Sequence, residues 1–164
     1  MSSTDEYRVV TRSARETKGV AKRLAARLHP GDLVSLSGDL GAGKTVFVQG
    51  LAEGLGIKER VTSPTFTIIR EYFDKIPLYH FDVYRLSSAA ELVDLGYEEY
   101  FFGDGISVVE WGDKITVLFP PDYLEVVFEF GGGERRALTF RPRGSRWKAA
   151  FKELTGALLE EIGE

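Results

Sequence analysis

Apolar residues along the chain fall into two rhythms, one helical and one strand-like. Thr17, Val20, Leu24 and Leu28 recur every three or four positions, which predicts one face of a helix. Ser13-Ala14-Arg15-Glu16 is an S-x-x-E capping box and sets its start, while His29-Pro30-Gly31 stops it. A short strand is expected over Tyr7 to Val10, after a polar, frayed start at 1–6. Asp32-Leu33-Val34-Ser35-Leu36-Ser37 reads as a buried strand. Val46, Phe47, Leu51 and Leu55 then predict a second helix that fades at Gly54 and Gly56.

Further on, Thr67 to Phe73 reads as a strand and Asp74 to Pro77 as a turn. Leu78-Tyr79-His80-Phe81 is a short apolar strand ending at Asp82. Ser88-Ala89-Ala90-Glu91 is a second capping box, opening a helix through Leu95 that Gly96 ends, with one more turn over Tyr97 to Phe102. Ile106-Ser107-Val108-Val109 is a buried strand ending at Glu110. Leu124 to Phe130 alternates apolar with acidic residues, as a half-exposed strand should. Gly131 to Glu134 makes a hairpin loop and Arg136 to Arg141 the returning strand. Ser145 is expected to cap a last helix with Trp147, Phe151, Leu154 and Leu158 on one face. Helices alternating with apolar strands, then a hairpin, predict an α/β fold. The expected form is a three-layer sandwich whose central sheet is mainly parallel with antiparallel additions. No repeat or linker divides residues 1–164, so one domain is expected.

Composition narrows the function classes. The net charge of −4 argues against a surface that binds nucleic acid over its whole extent. The absence of cysteine excludes a disulfide framework, a thiolate metal site and a cysteine nucleophile. Asp5, Glu6 and Arg8 near the start are unlike a signal peptide, and no apolar run is long enough to span a membrane. A cytoplasmic location is the resulting expectation.

Between the first buried strand and the second helix lies Gly38-Asp39-Leu40-Gly41-Ala42-Gly43-Lys44-Thr45, which fits G-x-x-x-x-G-K-[ST]. Glycines let successive amide groups curl around phosphate oxygens, and the following helix turns its positive end toward them. Lys44 suits the β and γ phosphates, and the Thr45 hydroxyl suits Mg²⁺. The strand–loop–helix setting is the context this motif requires. A Mg²⁺-dependent hydrolytic site also needs a carboxylate near Thr45 and a group that orients water. Asp82 and Glu110 each end an apolar strand and are the candidates, with nothing in the residues to say which does which. Val61 to Phe66 is rich in hydroxyls, and its Thr62–Thr65 part is either a segment that reaches metal and phosphate or a capped proline turn.

His29 is expected at the surface. His80, inside an apolar strand, is expected to be hydrogen-bonded and structural. Arg135, Arg136, Arg141, Arg143, Arg146 and Lys148 against Glu134 give residues 131–148 a local charge of +5. That run is either a patch for a protein, a tRNA or nucleotide phosphates, or simply a solvated face.

Taken together, the chain resembles the TsaE (formerly YjeE) family. The loop Gly38–Thr45, then Thr62-Ser63-Pro64-Thr65-Phe66-Thr67, Tyr79-His80-Phe81-Asp82-Val83-Tyr84-Arg85-Leu86 and Val109-Glu110-Trp111 occur in family order and spacing. Glu16-Thr17 and Gly31-Asp32 also fit, whereas the last fifty or so residues match only in outline. The resemblance implies a P-loop ATPase of tRNA threonylcarbamoyladenosine biosynthesis that uses ATP and Mg²⁺ and associates with a TsaB–TsaD complex, with tRNA met through that complex. Carried onto this chain, it implies that Gly38, Asp39, Leu40, Gly41, Ala42, Gly43, Lys44, Thr45 and Val46, with Ser63 and Thr65, hold the nucleotide. It makes Thr45 and Glu110 the Mg²⁺ ligands. Asp82 becomes the second acid, orienting water or holding the metal through water, and Ser63 to Thr67 becomes a switch loop. Lys44, Asp82 and Glu110 form the implied catalytic set.

A P-loop small-molecule kinase and a nucleotide-dependent binding switch with little turnover are the alternatives. A GTP switch would need N-K-x-D and D-x-x-G; the chain has no asparagine and no D-x-x-G. Neither Arg70 nor Arg85, both near motifs, is assignable as an arginine finger from sequence.

Overall fold

The structure is a computed structural model and describes residues 6–39, 43–64 and 68–151. Seven strands form one sheet: β1 (Tyr7–Thr11), β2 (Leu33–Gly38), β3 (Ile69–Tyr72), β4 (Leu78–Asp82), β5 (Ile106–Glu110), β6 (Tyr123–Phe130) and β7 (Arg136–Arg143). Their order across the sheet is β1-β7-β6-β2-β5-β4-β3. The central pairings β6–β2, β2–β5 and β5–β4 are parallel; β3, β7 and β1 are added antiparallel at the two sides. The expected α/β architecture with a mainly parallel centre is therefore what the chain adopts.

Helices α1 (Ala14–Ala25) and α2 (Lys44–Gly54) cover one face of the sheet. Val34, Leu36, Val108, Val126, Phe128 and Phe140 meet Val20, Leu24, Phe47 and Leu51 there in the larger core. The short helices α3 (Ala89–Asp94) and α4 (Glu98–Phe101) belong to the other face, where Leu33, Phe81 and Val109 pack with Leu92, Phe101 and Ile115. Neighbours Val108 and Val109 thus enter opposite cores, as the alternation of a strand requires.

Local signals work with small differences. Ser13 caps α1 through its hydroxyl, which accepts from the Glu16 amide at 3.2 Å, but Glu16 reaches past Ser13 to the Arg12 amide at 2.8 Å. Ser88 and Glu91 form the full reciprocal box at α3. Ser145 is the first helical residue of a helix that continues to the end of the described residues, with Gly144 before it accepting from Lys148. Trp147 and Phe151 are buried as expected; Leu154, Leu158 and the Thr67 start of the third strand lie outside the described residues.

Helix α2 begins at the candidate phosphate loop, so its seating matters for function. Gly50 and Gly54, one turn apart, let α1 approach closely. A Cβ on Gly50 would lie 2.6 Å from the Lys18 carbonyl and 2.7 Å from the Ala21 methyl, and one on Gly54 would lie 2.6 Å from the Ala25 methyl. Lys18 and Lys22 both pair with Glu53 across the same seam, at 3.2 and 3.7 Å. Gly50→Ala should therefore destabilise the protein by roughly 1–3 kcal/mol in urea unfolding, because backbone and helix must both shift. Gly19→Ala, whose methyl would meet only the mobile end of Arg23 at 3.4 Å, should be neutral or stabilise by up to about 1 kcal/mol.

Candidate functional site

Gly38 ends β2 opposite Phe128 with φ of +113°, and a Cβ there would overlap the Phe128 carbonyl oxygen. Only glycine fits both constraints. Two bonds then hold the loop to β6: the Asp39 amide donates to the Phe128 carbonyl at 3.2 Å, and the Asp39 carboxylate accepts from the Phe130 amide at 3.2 Å. Leu40, Gly41 and Ala42 lie outside the described residues. The chain re-enters at Gly43, which caps α2 in a left-handed conformation with φ of +98°. No side chain caps α2 and no acid occupies its first turn, so its amide end is kept for an anion.

Lys44 is 4% exposed. Its ammonium donates to the Asp39 carbonyl at 2.7 Å and the Gly38 carbonyl at 3.2 Å, and sits 4.0 Å from the centre of the Trp111 ring. Burial pushes this ammonium below the ordinary lysine range, opposed by the carboxylates of Glu110, Asp39, Asp82 and Asp113. A charge so placed answers an anionic ligand far more strongly than one in water.

Asp82 and Glu110 are register partners at the ends of β4 and β5, and both are buried. The residues alone left them equivalent, but their surroundings differ. Glu110 Oε2 accepts from the Thr45 hydroxyl at 3.3 Å and meets His80 Nε2 at 2.6 Å. Asp82 Oδ2 accepts from the Ser63 hydroxyl at 3.2 Å and its Oδ1 from the Tyr84 amide at 3.0 Å. Thr45 is thus served by Glu110, and the Ser63 segment by Asp82. Among the described residues no three His, Asp or Glu side chains make a ready metal cage. The oxygens of Thr45 and Glu110 nevertheless suit Mg²⁺, whose adjacent ligands at about 2.1 Å lie about 3 Å apart and which takes its other oxygens from water and phosphate.

Lys44, Thr45, Ser63, Asp82, Arg85 and Glu110 line one cleft of about 420 Å³, with Gly43, Val46 and Trp111 also on its wall. That volume is ordinary for a small-molecule site. Arg85 contributes to it, while Arg70 sits on the outer strand β3 opposite His80. Thr65, Phe66 and Thr67 lie outside the described residues. The chain returns at Ile68, whose amide donates to the Pro64 carbonyl at 2.7 Å and whose carbonyl accepts from the Asp82 amide at 2.8 Å. Among the described residues the non-glycine positions with positive φ are Ile68, at 70°, and Trp111, at 66°. Both adjoin the carboxylates, and such backbone strain of about 1–3 kcal/mol each concentrates at functional sites. Nothing in a sequence marks these positions.

Gly43 and Val46 also border a second, small hollow, lined in addition by Ala14, Thr17, Glu134 and Arg136. Glu134 accepts from the Ala14 amide at 3.1 Å, tying the β6–β7 loop to the start of α1. Sequence reasoning missed Arg136 here because it counted only as one member of a basic run. That run is no single patch. Strand β7 carries it about 23 Å from Arg136 to Arg143. Arg141 pairs with Glu6, Arg143 with Glu125 and Arg146 with Asp32, at 2.7, 2.8 and 2.7 Å. Asp32 also accepts from the His29 amide at 2.7 Å, and burial pushes its carboxyl above the ordinary range against both partners. Its place at the start of β2, the end opposite the loop, makes Gly31-Asp32 part of the framework. His29 is exposed, as expected.

Comparison with known proteins agrees with this architecture. The family model described as "Threonylcarbamoyl adenosine biosynthesis protein TsaE" matches residues 11–138. The tRNA threonylcarbamoyladenosine biosynthesis protein TsaE of Bacillus subtilis (strain 168) is 50% identical over 141 residues, covering 85% of this chain and 88% of that protein. The protein of the same name from Treponema pallidum (strain Nichols) is 46% identical over 113 residues, covering 69% and 84%. The crystal structure of Bacillus subtilis YdiB superposes with a TM-score of 0.82 at 42% identity, over 96% of this chain and 99% of that one. With the family model matched across the central strands, the loop and both carboxylates, and relatives aligned over most of their length, the chain belongs to the TsaE family.

Proposed function

We propose that the chain binds ATP with Mg²⁺ at the cleft between Gly43 and Glu110, hydrolyses it, and by doing so supports tRNA threonylcarbamoyladenosine biosynthesis in the cytoplasm through a TsaB–TsaD complex. The observation that carries the chemical part is the contact of Thr45 Oγ1 with Glu110 Oε2, beside a second buried carboxylate at Asp82. The pathway rests on family membership and on the relatives' names, and the TsaB–TsaD association on the resemblance.

The loop amides, the start of α2 and the Lys44 ammonium bind the phosphates, with Lys44 exchanging carbonyl partners for phosphate oxygens. Thr45 and Glu110 would hold Mg²⁺, which would supply positive charge against the phosphate oxygens. Asp82, fixed by Ser63 and Tyr84, orients the water that attacks the γ phosphorus as the bond to the β–γ bridging oxygen breaks. Arg85 adds positive charge to the same wall of the cleft. Adenine preference comes from the family resemblance alone.

Binding by calorimetry and release of inorganic phosphate, measured side by side, test these roles. Lys44→Ala should weaken ATP binding by about 10- to 100-fold, the worth of a charge-assisted bond. Glu110→Gln should lose Mg²⁺-dependent turnover, and normal turnover would remove Glu110 from the metal. Asp82→Asn should lower phosphate release by about 10²- to 10⁴-fold while binding stays within about threefold. Unchanged release would make Asp82 structural. The double reversal Arg141→Glu, Arg143→Glu should leave ATP binding and turnover unchanged, because both partners of those arginines lie away from the cleft.

A further inference from the structure

We propose that His80 is a positioning residue that holds the Glu110 carboxylate toward Thr45. This rests on the assignment of Glu110 and Thr45 to Mg²⁺ made above. His80 lies on β4 two residues before Asp82, opposite Val108 in the register, and reaches diagonally to Glu110 on β5. The ring is fully buried, and its Nε2 is 2.6 Å from Glu110 Oε2. A carboxylate oxygen only accepts, so Nε2 carries the proton and donates. The same oxygen accepts from the Thr45 hydroxyl at 3.3 Å. One oxygen thus takes two donors, one from the sheet and one from α2, and its position is set from both sides.

A second observation separates this role from simple packing. His80 Nδ1 is buried, and none of the described residues offers it a hydrogen bond. Burying a ring nitrogen carries a desolvation cost that a phenylalanine or leucine at this place would not carry. Among the described residues, the bond that the imidazole makes and a phenylalanine could not is the one from Nε2 to Glu110. Partners that orient a metal-binding carboxylate typically change metal affinity by about 10- to 100-fold when removed.

The test is calorimetric binding of a non-hydrolysable ATP analogue to the full chain across a Mg²⁺ titration, with a parallel titration in EDTA. His80→Phe keeps bulk and removes the donor. His80→Gln places an amide nitrogen near the position of Nε2, and His80→Asn places one near Nδ1. The Mg²⁺ concentration for half-maximal enhancement should rise about 10- to 100-fold in His80→Phe and His80→Asn. It should stay within about threefold of wild type in His80→Gln, and binding in EDTA should be equal in all four proteins. The comparison of Gln with Asn stands by itself if the Phe variant does not fold. Unchanged Mg²⁺ dependence in all variants, or an equal shift in all of them, overturns the positioning role while leaving Glu110 on the metal. A wild-type protein that shows no Mg²⁺ enhancement overturns the metal assignment and this role with it.

Discussion

Parallel pairing of β2 with β5 and of β5 with β4 is the constraint on which the site depends. It brings three strand ends to the same side, so the loop after Gly38, the Glu110 carboxylate and the Asp82 carboxylate share one edge of the sheet. Carboxyl ends of parallel strands are where α/β folds hold ligands, because loops and helix starts converge there. In this chain the edge is also where the strained residues Ile68 and Trp111 and the buried Lys44 ammonium gather.

The rest of the fold fixes that edge. The amide and carboxylate of Asp39 hold the loop to β6, and the glycine seam of α2 against α1 fixes the helix that Lys44 and Thr45 begin. Packing and electrostatics are coupled at this point. A shift of α2 moves the Thr45 hydroxyl relative to Glu110, and with it both donors and acceptors of the cleft. Glu110 Oε2, reached by Thr45 from the helix and His80 from the sheet, is where the two layers meet chemically.

Much of this was legible in the residues. Periodicity and caps located the helices and strands to within a few positions, and the loop spacing with two strand-end acids located the cleft. What was not legible has a common physical cause: it depends on contacts between residues far apart in the chain. Asp82 and Glu110 look alike in sequence and differ only once the register sets Thr45 against one and Ser63 against the other. His80 reads as a hydrogen-bonded strand residue, but its partner lies thirty positions away. Arg136 reads as part of a charge run, and only the antiparallel course of β7 separates it from Arg141 and Arg143 and sets it beside Gly43. Ser145 looked like a helix cap because serine favours that place, yet Gly144 takes the position before the helix.

In the proposed function, Thr45, Glu110 and Asp82 form a Mg²⁺-dependent hydrolytic site whose turnover serves a partner complex. The most direct measurement is release of inorganic phosphate from ATP by the purified wild-type protein, across a Mg²⁺ titration, alone and with TsaB–TsaD. Slow release that requires Mg²⁺ and rises when the complex is added is the expected result. Release that ignores Mg²⁺, or none under either condition, would contradict it.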